Sequence, residues 1–377
     1  MFYKLEHYVE VNKHLQEEGR NTNAELIIGL PGETRETFLR GVEQCIEAGV
    51  STATIYTLML LNGTEFQSPA YRKSYGIKGK FRILPLNFGE YDGDRVFDFE
   101  EVGVETNTMS FDDYLYLRGF ALLVETVHNG HIFEEFFRFA LSIGTSRTQF
   151  LRRLYDNLED APRTVKSIVH GFMDETRSEL WDNADDLVQH YQQENNYKRL
   201  INGEVGGNLI YKFKSIGVAR AAREWVEYLT QEARKVALQS LKAGENPHEI
   251  EVEIECIGDF CQNKSRGLLD ATADVGPIEG AYTYDVVGWL SAEEGMRLKD
   301  FACATPVKYV FSYDNTQLRT RDDLFKRYGT DVNALSKIVT RVTSLESLFR
   351  KIITADGEGV VLQDTNSDRF TRYAQSH

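Results

Sequence analysis

Apolar and polar positions alternate along this chain with two different periods, and the first pattern to emerge is a strand, a helix and a second strand. Leu26, Ile27 and Ile28 form a short apolar run that stops at Gly29, and Pro31-Gly32 forces a turn. Thr34 is placed to cap the helix that follows. Phe38, Val42, Cys45, Ile46 and Gly49 recur at helical spacing, with Arg35, Glu36, Arg40, Glu43 and Glu47 between them facing water. A second apolar run, Ala53 to Leu61, begins at once. Two such runs joined by one amphipathic helix predict a right-handed βαβ unit with parallel strands. Ligands in such sheets bind beyond the carboxyl ends of the strands, here Gly29 to Glu33 and Leu58 to Thr64.

Upstream, Phe2 to Gly19 reads as an amphipathic helix on Leu5, Tyr8, Val9, Val11 and Leu15. Downstream, Tyr71 to Arg82 and Leu84 to Gly93 read as a polar, aromatic-rich connector. Val96 to Thr106 alternates apolar and acidic residues, as an edge strand or hairpin arm does. Ser110 and Asp113 form a capping box for a helix continuing from Leu115 to Asn129. From Ile132 to about Ala243 the chain reads as helices, with a break at Asp160-Ala-Pro162 and long runs at Val165 to Gln193 and Gly217 to Leu241. His128 and His131 are expected at the surface or at caps, and Gly203, Gly206 and Gly207 in a flexible helix connection.

Pro247 opens a different composition. Glu249 to Cys256 alternates strictly and predicts a half-buried strand with its glutamates in water. Tyr282 to Trp289 and Thr305 to Tyr313 are further expected strands, Asp322 to Tyr328 and Leu335 to Ile353 expected helices, and Gly359 to Leu362 a last strand. Arg341, Arg350 and Lys351 add local positive charge suited to an anionic ligand or partner. The fold class is therefore α/β followed by mostly α and then α+β. The expected divisions are 1–66, a connector and helix at 67–130, a helical region at 131–245 and a small α+β domain at 246–377.

Composition narrows the function classes. The chain has 377 residues, 42% of them hydrophobic, enough to bury substantial cores. Its net charge of −15 argues against a general nucleic-acid surface. Four scattered cysteines do not make a disulfide framework, no apolar stretch is long enough for a membrane span, and the first residues lack the apolar core of a signal peptide. A cytoplasmic location is expected. Neither GxxxxGK[ST] nor GxGxxG is present, so no phosphate-binding loop of those kinds is indicated.

The pair Glu25-Leu-Ile-Ile-Gly-Leu-Pro-Gly-Glu-Thr34 and Tyr56-Thr-Leu-Met-Leu-Leu-Asn-Gly-Thr-Glu65 resembles the last βαβ segment of the radical S-adenosylmethionine (SAM) (β/α)6 half-barrel, in particular of enzymes with an upstream cobalamin-binding domain. Asn62 stands where the family usually has proline. The resemblance implies that the strand ending at Gly29 runs beside the adenine of S-adenosylmethionine and that the next strand completes the pocket. Ile27, Gly29, Tyr56 and Leu58 would enclose the adenosine end. It also implies a [4Fe-4S] cluster and, in some members, cobalamin. The family holds its cluster with three cysteines spaced CxxxCxxC, and Cys45, Cys256, Cys261 and Cys303 do not have that spacing. The expectation is the C-terminal part of such an enzyme, with no catalytic or metal-ligating residue assigned and a small-molecule substrate of natural-product or cell-envelope type. The alternative is a non-catalytic binding or scaffold protein, or one subunit of a split enzyme whose cluster sits on a separate polypeptide.

Overall fold

The computed structural model describes residues 10–354 except 13, 16, 17, 19, 242–245 and 342–344. Of the expected first helix, residues 10–12 and 14–15 are helical, and the rest lies outside the described residues. The expected final strand at 359–362 also lies outside them.

The βαβ unit forms as its apolar runs require. Strand β1 (Asn23–Ile28) pairs in parallel with β2 (Thr52–Thr57), from Asn23 opposite Thr52 to Ile28 opposite Thr57. Helix α1 (Arg35–Glu47) crosses between them. Thr34 caps it reciprocally: its Oγ1 accepts from the Thr37 amide at 3.1 Å while the Thr34 amide donates to Thr37 Oγ1 at 2.8 Å. Phe38, Leu39, Val42 and Ile46 are buried against Leu26, Ile28, Ala53 and Ile55, so one face of the strand pair is covered.

The expected connector at 71–93 is instead a short helix α2 (Pro69–Tyr75) and the long strand β3 (Lys78–Tyr91), which forms an antiparallel hairpin with β4 (Asp94–Glu105). Asp92 and Gly93, at φ +52° and +89°, make its two-residue turn. The expected strand at 96–106 is therefore one arm of this hairpin. The second run does not stay in one sheet: β2 ends at Thr57, and the chain then hands its bonds to the hairpin. The Leu58 amide donates to Ile28 O at 2.9 Å, while Gly103 N donates to Leu58 O and Leu60 N to Glu101 O, both at 2.8 Å.

Helix α3 (Phe111–Leu123) starts at the Ser110/Asp113 capping box and widens into a π turn at Val124–His128. Six α-helices follow: α4 (Glu134–Ser142), α5 (Arg147–Asp156), α6 (Arg163–Ser178), α7 (Ala184–Gln192), α8 (Glu194–Ile201) and α9 (Leu209–Arg220). Helix α10 (Ala222–Gln239) completes the helical layer. The expected run from Val165 to Gln193 is broken because Trp181 pairs its backbone with Phe81 of β3, both bonds at 2.8 Å. The run from Gly217 is broken at Ala221, which is fully buried.

The largest correction concerns Glu249 to Cys256. This stretch is helical, inside α11 (Pro247–Ser265), with Pro247 in the first turn and Asn246 as cap. Ile250, Ile254, Ile257 and Cys261 recur at three- and four-residue steps and are buried together. The glutamates are not all solvated: Glu253 is 0% exposed and accepts from Arg297 Nη2 at 2.7 Å.

The end of the described chain is a three-stranded antiparallel sheet in the order β5 (Ile278–Tyr284), β6 (Ala302–Ser312), β7 (Lys351–Thr354). The expected strand at 282–289 is half strand and half a short helix, α12 (Val286–Ser291), capped by Asp285. Helix α13 (Asn315–Tyr328) contains the helix expected at 322–328, and α14 (Val332–Arg341) covers only the first part of the one expected at 335–353, where Leu345–Leu348 is a 3-10 turn and 351–353 belongs to β7. Arg350 does not serve as free positive charge. It is 2% exposed and donates to the carbonyls of Arg266, Asp274 and Gly276 at 3.1, 2.7 and 2.6 Å. The architecture is thus mixed α and β with small sheets, and the described strands do not close a half-barrel.

Candidate functional site

The face of the strand pair opposite α1 is open. Ile27 and Tyr56 are register partners on it, 39% and 48% exposed. Their neighbours Ile28 and Thr57 turn inward. Beyond β1, Gly29 takes φ +96°, and a Cβ there would lie 3.2 Å from Gly103 O and 3.7 Å from Leu58 Cβ. Glycine is required here by both the left-handed backbone and the close approach of β4. Leu58 has a different place: its side chain is 4% exposed, buried with Leu60 and Ile77, and its backbone is spent on the β1 and β4 bonds. Ile27 and Tyr56 therefore present an accessible apolar surface, Gly29 shapes the strand end, and Leu58 supports it from below. Exposed Leu30 and Met59 extend the apolar surface past the strand ends.

The turn after Gly29 carries one unusual acid. Glu33 has a carboxylate oxygen buried without a hydrogen-bond partner, and burial pushes its carboxyl up. Its carbonyl accepts from Thr108 Oγ1 at 2.7 Å, tying the turn to the entrance of α3.

The outer edge of β2 is closed by the π turn. Asn129 accepts from the Ala53 amide through Oδ1 and donates from Nδ2 to the Ala53 carbonyl, both at 3.0 Å. Its Nδ2 also donates to Glu125, whose other oxygen accepts from Lys214 Nζ at 2.7 Å. Lys214 is buried, on α9. Tyr211, one turn earlier on that helix, has its phenol pushed up by burial, then by the Glu125 carboxylate and the Tyr56 phenol. The π turn thus joins Glu125 and Lys214 through Asn129 to the edge of β2 at Ala53, while Tyr211 lies close enough to Tyr56 for the two phenols to interact. None of Glu125, Lys214 and Tyr211 was singled out from the sequence. The only available signal was a helix with Asn129 and Gly130 at its end, which does not tell what it packs against.

The histidines correct an expectation. His128 is 3% exposed with both ring nitrogens unpartnered, and burial pushes it down to about 3. His131 is half-buried and caps no helix: its Nε2 lies 3.1 Å from Ser51 O and its Nδ1 3.5 Å from the Glu134 carboxylate.

For a metal or cluster the described residues offer little. Cys45 lies on α1, Cys256 and Cys261 on α11 and Cys303 on β6, all as free thiols. Among the described residues no three His, Cys, Asp or Glu side chains gather as a metal site would need. This donor set does not fit a [4Fe-4S] cluster, which takes thiolates converging on one point. What the strand end does offer is an open apolar surface at Ile27 and Tyr56. Among the described residues no helix is long and apolar enough to cross a membrane.

No family model matches the chain. It is 28% identical over 182 residues to the cobalamin-dependent radical SAM methyltransferase TokK of Streptomyces tokunonensis, covering 45% of this chain and 26% of that protein. It is 28% identical over 170 residues to the 2-(S-pantetheinyl)-carbapenam-3-carboxylate methyltransferase of Streptantibioticus cattleyicolor, covering 44% of this chain and 24% of that protein. The chain therefore spans about a quarter of the length of the curated relatives it matches. Both relatives are methyltransferases, and these partial likenesses support at most a radical-SAM-related family.

Proposed function

We propose that this chain works as the C-terminal part of a cobalamin-dependent radical SAM methyltransferase acting on a small molecule of natural-product type. The observation that carries the reading is the open, in-register pair Ile27 and Tyr56 at the end of a parallel βαβ unit, beside Gly29 in its left-handed conformation. In this reading Ile27 and Tyr56 lie against the adenosine, Gly29 lets the strand end approach it, and Leu58 fixes the floor. S-adenosylmethionine, with a cluster and cobalamin elsewhere in the enzyme, would supply the methyl group or the 5′-deoxyadenosyl radical. The chain's own contribution is binding, orientation and exclusion of water.

Calorimetric titration with S-adenosylhomocysteine tests the pocket. The expected result is saturable binding that weakens by about tenfold in Tyr56→Ala, the loss of one base-stacking contact, with unchanged thermal stability. Binding indifferent to Tyr56, or no binding at all, would remove the assignment.

A second reading is favoured by the other edge of β1, which pairs with no strand among the described residues. An open edge of this kind accepts a further strand. A cluster-bearing polypeptide could supply it, making this chain one subunit of a split enzyme or a non-catalytic scaffold. Co-expression with a CxxxCxxC protein and co-elution as one species supports this; independent elution counts against it.

A further inference from the structure

A second site lies in the last part of the described chain, where α13, the segment after α11 and the 3-10 turn at Leu345–Leu348 enclose a small cleft. Leu269, Tyr313, Arg321, Leu324, Phe325 and Leu348 line it. Its other polar groups are already engaged. Tyr313 Oη donates to Arg266 O at 3.3 Å, and Gln317 Nε2 donates to the carbonyls of Ser347 and Phe349 at 3.0 and 2.7 Å. Arg321 differs. Its guanidinium lies 5.3 Å over the Phe325 ring and its Nη2 donates to the Asp270 carbonyl, while its Nε is buried without a hydrogen-bond partner.

Three guanidiniums gather around this cleft with no carboxylate between them. Arg350 lies 4.6 Å over the Tyr313 ring, and Arg350 and Arg321 both draw the Tyr313 phenol down against the burial that pushes it up. Burial first, then the charges of Arg266 and Arg321, hold Arg350 below its ordinary value, opposed by Tyr313 and Asp274. Arg350 donates to backbone carbonyls of Arg266, Asp274 and Gly276, which satisfies its hydrogen bonds and leaves its charge. The nearby acids face other partners. Asp270 Oδ1 accepts from the Thr272 amide and hydroxyl at 2.9 and 2.7 Å, and Asp274 Oδ1 from the Gly276 amide at 2.8 Å. On α13 itself, Asp322 and Asp323 are exposed. Among the described residues no carboxylate comes within ion-pair distance of Arg266, Arg321 or Arg350. Like charges held close in partly buried surroundings favour an anion beside them. The Arg350 bonds also pin the segment 266–276, so the wall carrying Leu269 stands formed before any ligand arrives.

We propose that this cleft binds a small carboxylate with a short apolar tail, the carboxylate on the Arg321 guanidinium and the tail over Leu324 and Phe325. The cleft has room at depth for a water-sized group, which excludes a nucleotide or a folded partner. Leu324 and Phe325 are half-buried and carry the apolar surface outward from Leu269 and Leu348. A guanidinium fork matches both carboxylate and phosphate, and the apolar lining decides between them, since it offers no donors to the further oxygens of a phosphate.

Calorimetric titration of the whole chain with sodium butyrate, at constant ionic strength, tests the site. Saturable binding with a Kd of about 1 mM is expected. Acetate, which lacks two methylene groups, is expected to bind about tenfold more weakly. Butyramide, which keeps the tail and lacks the charge, should not bind, and inorganic phosphate should not displace butyrate. Unsaturable butyrate, equal binding of acetate or butyramide, or displacement by phosphate overturns the proposal. Arg321→Gln is expected to weaken butyrate at least about tenfold, and an unchanged affinity removes Arg321 from the site. Should that variant not fold, crystals of the parent chain soaked in 4-bromobutyrate decide the matter. A bromine anomalous peak over Leu324 and Phe325 is the expected result; a peak elsewhere, or none, overturns the assignment.

Discussion

The carboxamide of Asn129 bonds both backbone groups of Ala53, donor to carbonyl and acceptor to amide, each at 3.0 Å. A side chain thereby takes the place of a neighbouring strand along this edge of β2. The arrangement depends on the π turn, which pushes Asn129 outward at the end of α3.

Replacing Asn129 by alanine leaves the amide and carbonyl of Ala53, itself 1% exposed, without partners. The expected loss is about 2–4 kcal/mol, two buried backbone groups at the usual cost. Urea unfolding of the variant against the parent measures it, and a change below about 0.5 kcal/mol, typical of a surface substitution, would show that the clamp is idle.

Gly29→Ala forces a Cβ into a left-handed residue at 3.2 Å from Gly103 O. A destabilisation of about 1–3 kcal/mol is expected from the backbone strain. The hairpin must also retreat, so S-adenosylhomocysteine affinity should fall alongside Tm. Calorimetry and thermal unfolding on the same sample check both.

Tyr56 and Leu58 are expected to separate binding from folding. Tyr56→Ala removes an exposed side chain and should leave stability within about 0.5 kcal/mol while weakening nucleoside binding. Leu58→Ala opens a cavity under the strand end and should cost about 2–5 kcal/mol. Equal effects of the two on stability would contradict the placement of Tyr56 on the open face.

His128 should make the fold acid-sensitive. Its imidazole, pushed from 6.5 down to about 3 by burial and by Arg147 and His131, stays neutral in the fold while the unfolded chain takes up a proton below 6.5. The unfolded state then binds more protons, so stability falls as pH drops from 6.5 toward 3, by about 1.4 kcal/mol per unit from this group. Comparing parent and His128→Phe by unfolding across that range isolates the contribution: the variant should show a shallower slope.

Glu253 tests the helix found where alternation predicts a strand. Glu253→Ala leaves Arg297, 12% exposed, without its buried carboxylate, at an expected cost of about 3–5 kcal/mol. Glu255→Ala, on the exposed face of the same helix, should be near neutral.

What the sequence determined by itself was local. The β1–α1–β2 unit was legible because Leu26 to Ile28 and Ala53 to Leu61 are continuous apolar runs, while Phe38, Val42 and Ile46 keep helical period between Pro31-Gly32 and Gly49. Thr34 and Ser110 announced their helices because capping involves only residues three apart. Tertiary structure decided everything that rested on partners far along the chain. Ile250 and Ile254 are separated by four residues, which suits both a strand face and a helix face, and Arg297 and Arg234 settled the matter by taking the glutamates between them. Trp181 interrupts a helical run because Phe81, about a hundred positions earlier, offers it a strand edge. Of the candidate site, Ile27, Gly29, Tyr56 and Leu58 were named through the family resemblance, and the register that sets Ile27 opposite Tyr56 came from the structure. Glu125, Asn129, Tyr211 and Lys214 were not named, since only the packing of the π turn and α9 brings the first, second and fourth to Ala53 of β2 and Tyr211 to Tyr56.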